Sequence, residues 1–150
     1  MGMNIGIQDA FLFSEEAIKI LSQIGKVVFI SNLSRSQLAS IDVLFVRLSG
    51  YVSESYLHVF PNLKVLCSPT TGTTHIDFKV TEKKNIKVFT LQNETSFLKH
   101  VHASSEHVFG LTIALLRQYK KAFILKNKQD WDRERYLGDE LYENKVGLIG

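Results

Sequence analysis

Leu63-Lys64-Val65-Leu66-Cys67, running straight into Ser68-Pro69-Thr70-Thr71-Gly72-Thr73-Thr74-His75-Ile76-Asp77, is the stretch whose reading decides the fold. The first five residues are an apolar run of the length of a buried strand. From Ile76, apolar Phe78 and Val80 with Thr81 alternate with charged residues in a helical pattern as far as Lys84. Between strand and helix lies a turn rich in Ser, Thr and Gly. A turn of that kind exposes backbone N–H groups, and a glycine lets a ligand approach them closely. Ligands of open α/β sheets sit at this end of the strands. The stretch therefore reads as an anion-binding turn for a substrate carboxylate. The plainer reading of the same residues is a strand-to-helix turn closed by an N-cap.

Outward from this stretch, strands and helices alternate. Asn4–Gln8 reads as a first strand, and Ser14-Glu15-Glu16 opens a helix with an N-cap serine and acids in its first turn. Ala17, Ile18, Leu21 and Ile24 keep helical spacing, and Gly25 is expected to close that helix. Val27-Val28-Phe29-Ile30 is wholly apolar, which predicts a strand buried on both faces. Ser34-Arg35-Ser36-Gln37 fits a capping box. Asp42–Val46 is a third strand, ending at Arg47-Leu48-Ser49-Gly50. Ser53 caps a helix holding Tyr56, Leu57 and Phe60, stopped by Pro61; Ile86–Thr90 is a fifth strand. Connections too long for hairpins imply βαβ units and a parallel sheet. The expected fold class is α/β, a flavodoxin-like doubly wound parallel sheet.

From about Ala103 the pattern changes. Val108, Phe109, Leu111, Ala114, Leu115 and Leu116 predict a long helix, apolar round most of its girth, running through Arg117 and Tyr119 to Leu125. A polar segment with Trp131, Arg133 and Arg135 follows, then Gly138-Asp139-Glu140-Leu141. Lys145-Val146-Gly147-Leu148-Ile149-Gly150 reads as the beginning of a further strand.

With 150 residues, 45% hydrophobic and 22% charged, the chain has room for one domain and part of a second. No apolar run approaches the roughly 20 residues of a membrane span. No signal peptide is visible at the N-terminus, and the single cysteine, Cys67, excludes an internal disulfide framework; cytoplasm is the expected compartment. The net charge is +3, with Lys120, Lys121, Lys126 and Lys128 clustered near Tyr119, Phe123 and Trp131. A solvated helix end accounts for these lysines without nucleic acid. His100, His102, Glu106 and His107 miss the metal-binding spacings of His-Glu-x-x-His and His-x-x-Glu-His, so no metal is expected. Cys67, ending a buried strand, suits packing better than nucleophilic chemistry. A phospho-receiver domain of the same fold would need clustered acids after the first strand and an Asp ending the third. The chain has Asp9, and then Arg47-Leu48-Ser49.

Several of these pieces, in this order, resemble the D-isomer-specific 2-hydroxyacid dehydrogenase family, which includes phosphoglycerate dehydrogenases. They are Val46-Arg47, Pro61-Asn62-Leu63-Lys64, Gly72 with His75-Ile76-Asp77, and Asn85-Ile86-Lys87-Val88. Further on come Ser105-Glu106-His107, Arg117, Trp131, Gly138-Asp139-Glu140-Leu141 and Lys145–Gly150. The resemblance implies a substrate domain over residues 1–100. Residues 101–150 would hold an interdomain helix, a dimer arm containing Trp131, and the first strand of a Rossmann domain. It implies NAD or NADP as cofactor, a small 2-hydroxy or 2-keto acid as substrate, and a homodimer. The mechanism it implies passes hydride between the nicotinamide and carbon 2, with a His exchanging the hydroxyl proton and an Arg holding the substrate.

Carried over residue by residue, the resemblance gives Thr71 and Gly72 as the carboxylate-binding amides and Arg47 as a group at the substrate mouth. A salt bridge at the strand end is the structural alternative for Arg47. Ser104 would lie against the cofactor, and Gly150 would be the first glycine of the dinucleotide loop. His75 and Asp77 are structural in this scheme, Asp77 capping the next helix. Thr70-Thr71 replaces the commoner Gly-Val or Gly-Tyr, and Asn93–Leu98 departs from a Pro-containing segment frequent there. The catalytic Arg, Glu and His match nothing in these 150 residues, so the chain is expected not to turn over alone. The alternative is a non-catalytic binding or regulatory module of the same fold, acting through dimerisation.

Overall fold

A computed structural model describes residues 2–9, 11, 13–124, 132 and 134–149. The chain divides into two compact units, Met1–Leu98 and Lys99–Gly150.

The first unit is built on five strands: β1 (Met3–Ile7), β2 (Gly25–Phe29), β3 (Val43–Phe45), β4 (Val65–Ser68) and β5 (Lys87–Thr90). All are parallel, in the order β2-β1-β3-β4-β5. This is the flavodoxin-like order, with its reversal between β1 and β3. The helices are α1 (Glu15–Ser22), α2 (Arg35–Ala39), α3 (Glu54–Leu57), α4 (Phe78–Lys83) and α5 (Thr95–Leu98). Ile7, Leu44 and Leu66 lie on the three inner strands at 0% exposure. Burying each contributes about 1.5–3 kcal/mol. Ile41, Val46, Val52, Leu57, Phe60 and Ile76 complete the core from the connections.

The helix starts follow their local signals. Ser14 Oγ accepts the Ala17 N–H, Ser53 Oγ accepts that of Tyr56, and Ser34 with Gln37 forms a reciprocal capping box. Three expectations fail for tertiary reasons. β2 is not buried on both faces: it is an edge strand, and Phe29 is 40% exposed. Gly25 does not close α1, which ends at Ser22; it opens β2 opposite Met3, whose carbonyl any Cβ would strike. α3 stops at Leu57, well before Pro61, and Phe60 enters the core from the turn that follows.

In the second unit α6 (Ala103–Leu116) is followed by α7 (Tyr119–Phe123). The expected continuous helix is broken because Gln118 takes a left-handed conformation, φ 52°. The Leu116 carbonyl, which a longer helix would have used internally, accepts the Asp139 N–H at 3.0 Å. Gln118 Nε2 also donates to the Leu137 carbonyl at 2.6 Å. Gly138 sits against this helix end so closely that a Cβ would collide with the Leu116 carbonyl. Residues 145–149 form no strand: among the described residues no backbone pairs with them, and Val146, Leu148 and Ile149 are exposed. Leu125, Trp131, Arg133 and Gly150 lie outside the described residues. No helix among the described residues is long and apolar enough to cross a membrane.

Candidate functional site at the carboxyl edge of the sheet

β1, β3 and β4 leave the sheet side by side. The Gln8 N–H donates to the Phe45 carbonyl at 3.0 Å, and the Val46 N–H to the Cys67 carbonyl at 2.9 Å. Just beyond, Ser49 Oγ donates to Asp9 Oδ2 at 2.7 Å, linking the exits of β1 and β3 at the switch point. Arg47 follows β3 and is half-buried. Among the described residues its guanidinium makes no ion pair; the two salt bridges found are Lys64–Asp42 and Lys83–Glu54. The salt-bridge reading of Arg47 thus finds no partner there.

The turn after β4 is anchored at both ends. The Leu91 N–H donates to the Thr70 carbonyl at 3.0 Å, and the Val52 N–H to the His75 carbonyl at 2.8 Å. Between these anchors the amides of Thr71, Gly72, Thr73 and Thr74 have no acceptor among the described residues. Four successive amides without a partner in the fold are donors available to an anion, and Arg47 stands at the exit of the neighbouring strand β3. Gly72 is not left-handed, and a Cβ there would meet nothing within 4 Å. The backbone does not demand glycine; its absence of side chain leaves the face of the turn open.

Asp77 ends the turn as the cap of α4, its Oδ1 accepting the Lys79 and Val80 N–H groups at 3.1 and 3.2 Å. That use engages Oδ1, and among the described residues no hydrogen bond joins Asp77 to His75. His75 is buried, its Nε2 lying 3.0 Å from Ser68 Oγ. Burial holds its pKa below the ordinary 6.5. Burial likewise pushes the Cys67 thiol up to about 11, which suits packing and removes the thiolate. Sequence reading missed Tyr56, whose hydroxyl is buried without a partner among the described residues. Its pKa is pushed up to about 12 by burial and by the charge of Asp9.

Ser104 is the second residue of α6, in the other unit, and is exposed. It borders a groove of about 550 Å³ with Val108, Phe109, Thr112, Leu141 and Leu148. One exposed hydroxyl does not make a dinucleotide site, and Gly150 lies outside the described residues. No cluster of three metal-ligating side chains occurs among the described residues.

A five-stranded parallel α/β unit of doubly wound type, with a turn of unpaired amides at its carboxyl edge, defines the class of the fold. Residues 7–96 match the catalytic-domain model of the D-isomer specific 2-hydroxyacid dehydrogenases, and the chain belongs to that family. It is 31% identical over 140 residues to D-3-phosphoglycerate dehydrogenase of Methanocaldococcus jannaschii, covering 91% of this chain and 26% of that one. Against the Bacillus subtilis D-3-phosphoglycerate dehydrogenase, identity is 26% over 117 residues, covering 78% and 21%. The chain thus spans about a quarter of the length of the curated relatives it matches. Among solved structures it is similar to D-lactate dehydrogenase from Aquifex aeolicus complexed with NAD and lactic acid. That match has a TM-score of 0.73 at 18% identity and covers 91% of this chain and 41% of that one. The NAD-bound 3-phosphoglycerate dehydrogenase of Entamoeba histolytica matches with a TM-score of 0.61 at 21% identity, covering 85% and 42%.

Proposed function

We propose that this chain is the N-terminal part of an NAD-dependent D-2-hydroxyacid dehydrogenase and supplies its recognition of the substrate carboxylate. The observation that carries this reading is the row of unpaired amides from Thr71 to Thr74 after β4, with the unpaired Arg47 at the exit of the adjacent β3. In it, the Thr71 and Gly72 amides bind the carboxylate and Arg47 neutralises charge at the mouth. Ser104 and Gly150 belong to the cofactor side, with NAD or NADP supplying the hydride in the whole protein. The substrate domain corresponds to residues 1–100, and residues 101–150 lead towards the cofactor. The 150 residues bind the acid but do not reduce it, since the catalytic Arg, Glu and His of the family match none of them.

The test is a titration of the ¹⁵N-labelled chain with D-lactate. Shifts confined to the amides of Thr71–Thr74, weakened in Arg47→Gln, support the reading; a turn that does not respond overturns it. NADH oxidation with 2-keto acids by the protein from its native cells then tests the chemistry.

A second reading, a non-catalytic module acting as a homodimer, is favoured by the apolar side chains that α6 leaves exposed, among them Phe109 at 61% and Leu115 at 79%. Sedimentation equilibrium decides it: a monomer at micromolar concentration removes this reading.

A further inference from the structure

Three hydrogen bonds lie at the root of the turn. Ser68 Oγ is 3.0 Å from His75 Nε2 and 2.9 Å from Thr70 Oγ1, and Thr70 Oγ1 is 2.8 Å from the Gly72 carbonyl oxygen. Their directions can be deduced. A carbonyl only accepts, and a hydroxyl has a single proton. The Thr70 proton therefore goes to Gly72. Thr70 must then accept from Ser68, which commits the proton of Ser68. Ser68 in turn can only accept from the ring, so the imidazole carries its proton on Nε2.

We infer that His75 is a positioning residue of the turn. As the Nε2–H tautomer it starts a one-way relay through Ser68 and Thr70 that fixes the Gly72–Thr73 peptide. In a trans peptide the N–H points opposite to the C=O. A Gly72 carbonyl held on Thr70 therefore aims the Thr73 amide away from that hydroxyl, as one donor in the unpaired row. This inference rests on the carboxylate reading of the turn.

Two observations separate the relay from mere filling of space. His75 is 7% exposed, yet its Nδ1 is buried with no partner among the described residues. An apolar side chain of similar size would pack there without an unsatisfied acceptor, so the donor at Nε2 is what the imidazole adds. Desolvation also disfavours the charged ring, which keeps a neutral tautomer in place at pH 7.

The experiment uses the labelled 150-residue chain. Long-range ¹H–¹⁵N spectra of the imidazole report the tautomer, and D-lactate titration reports the turn. The relay expects Nε2–H in His75. It expects Thr70→Val, at a half-buried position, to shift the free Thr73 amide and weaken D-lactate binding about tenfold, the scale of one charge-assisted hydrogen bond. Thr70→Ser, which keeps the hydroxyl, should stay within about twofold. His75→Gln, with a donor near the Nε2 place, should retain more affinity than His75→Leu; if either unfolds, the Thr70 pair decides alone. An Nδ1–H tautomer, or wild-type affinity in Thr70→Val, overturns the relay while normal D-lactate binding leaves the carboxylate reading standing. A wild-type turn indifferent to D-lactate overturns the carboxylate reading and the positioning role with it.

Discussion

The sheet of the first unit and helix α6 of the second are both rich in large aliphatic and aromatic residues, yet their fates differ. Ile5, Ile7, Leu44 and Leu66 are at most 2% exposed, whereas no residue of the 14-residue α6 is buried. Strands covered by their own crossover helices complete a core from local chain. A helix apolar round its girth needs several surrounding elements, and the described residues of its own unit, α7, the segment around Gly138 and the stretch from Leu141 to Leu148, leave it uncovered. Apolarity specifies that a surface should be covered; it does not specify by what.

The sharpest way to break this comparison is to delete the same side chain on each side of it. Leu66→Ala should cost about 2–5 kcal/mol in urea unfolding. Leu115→Ala should stay within about 0.5 kcal/mol. Equal costs would mean that α6 is covered in solution. Next in size, Gly25→Ala should cost about 1–3 kcal/mol, because the added Cβ meets the Met3 backbone and not a movable side chain; an unchanged midpoint would show that the β1–β2 edge gives way easily.

The pH dependence belongs to the first unit as well. Asp42 is held below its usual carboxylate range by the Asn4 N–H and then by Lys64. The sign follows from the depressed folded value: its contribution is complete above the unfolded value of 3.8 and is lost as pH falls through the folded one. The urea midpoint of Asp42→Asn should therefore lie below the wild type at pH 6 and converge with it in acid. A constant gap would assign the effect to something other than titration. No loss of stability is expected at Gly72→Ala, which should be unchanged or raised by about 0.4–1 kcal/mol through the unfolded chain. The same change should weaken D-lactate binding, which separates the open face of the turn from its fold.

What could be read in the sequence was whatever a few neighbouring residues decide. Ser34 with Gln37, and Ser14 with its following acids, announce their helices because a cap acts over three or four residues. The alternation of apolar runs and helical spacing likewise gave the parallel α/β class and placed the turn at Thr71 and Gly72 on an exit of the sheet. Gly25 misled because a glycine after a helical run has the same local appearance whether it caps a helix or admits a close strand. The break at Gln118 was hidden because it answers to Asp139, far along the chain. The Ser49–Asp9 bond and the buried ring of His75 depend on which strands become neighbours, and that lies beyond any local pattern.

The parallel register also fixes the order in which strands find their partners available during synthesis. β1 pairs with β2 through Met3 and Gly25, but its other side stays open until Val43 arrives to meet Ile5. Val65 and then Lys87 follow, each extending the same side. On a nascent chain each partner after β3 therefore becomes available on the same side of the sheet, and the first strand made becomes an interior one. Pulse-labelled hydrogen exchange should find the amides of β1 and β3 protected before those of β5. The turn that holds the unpaired amides gains its anchor on Thr70 only when Leu91 has been made, so this edge of the sheet is completed late.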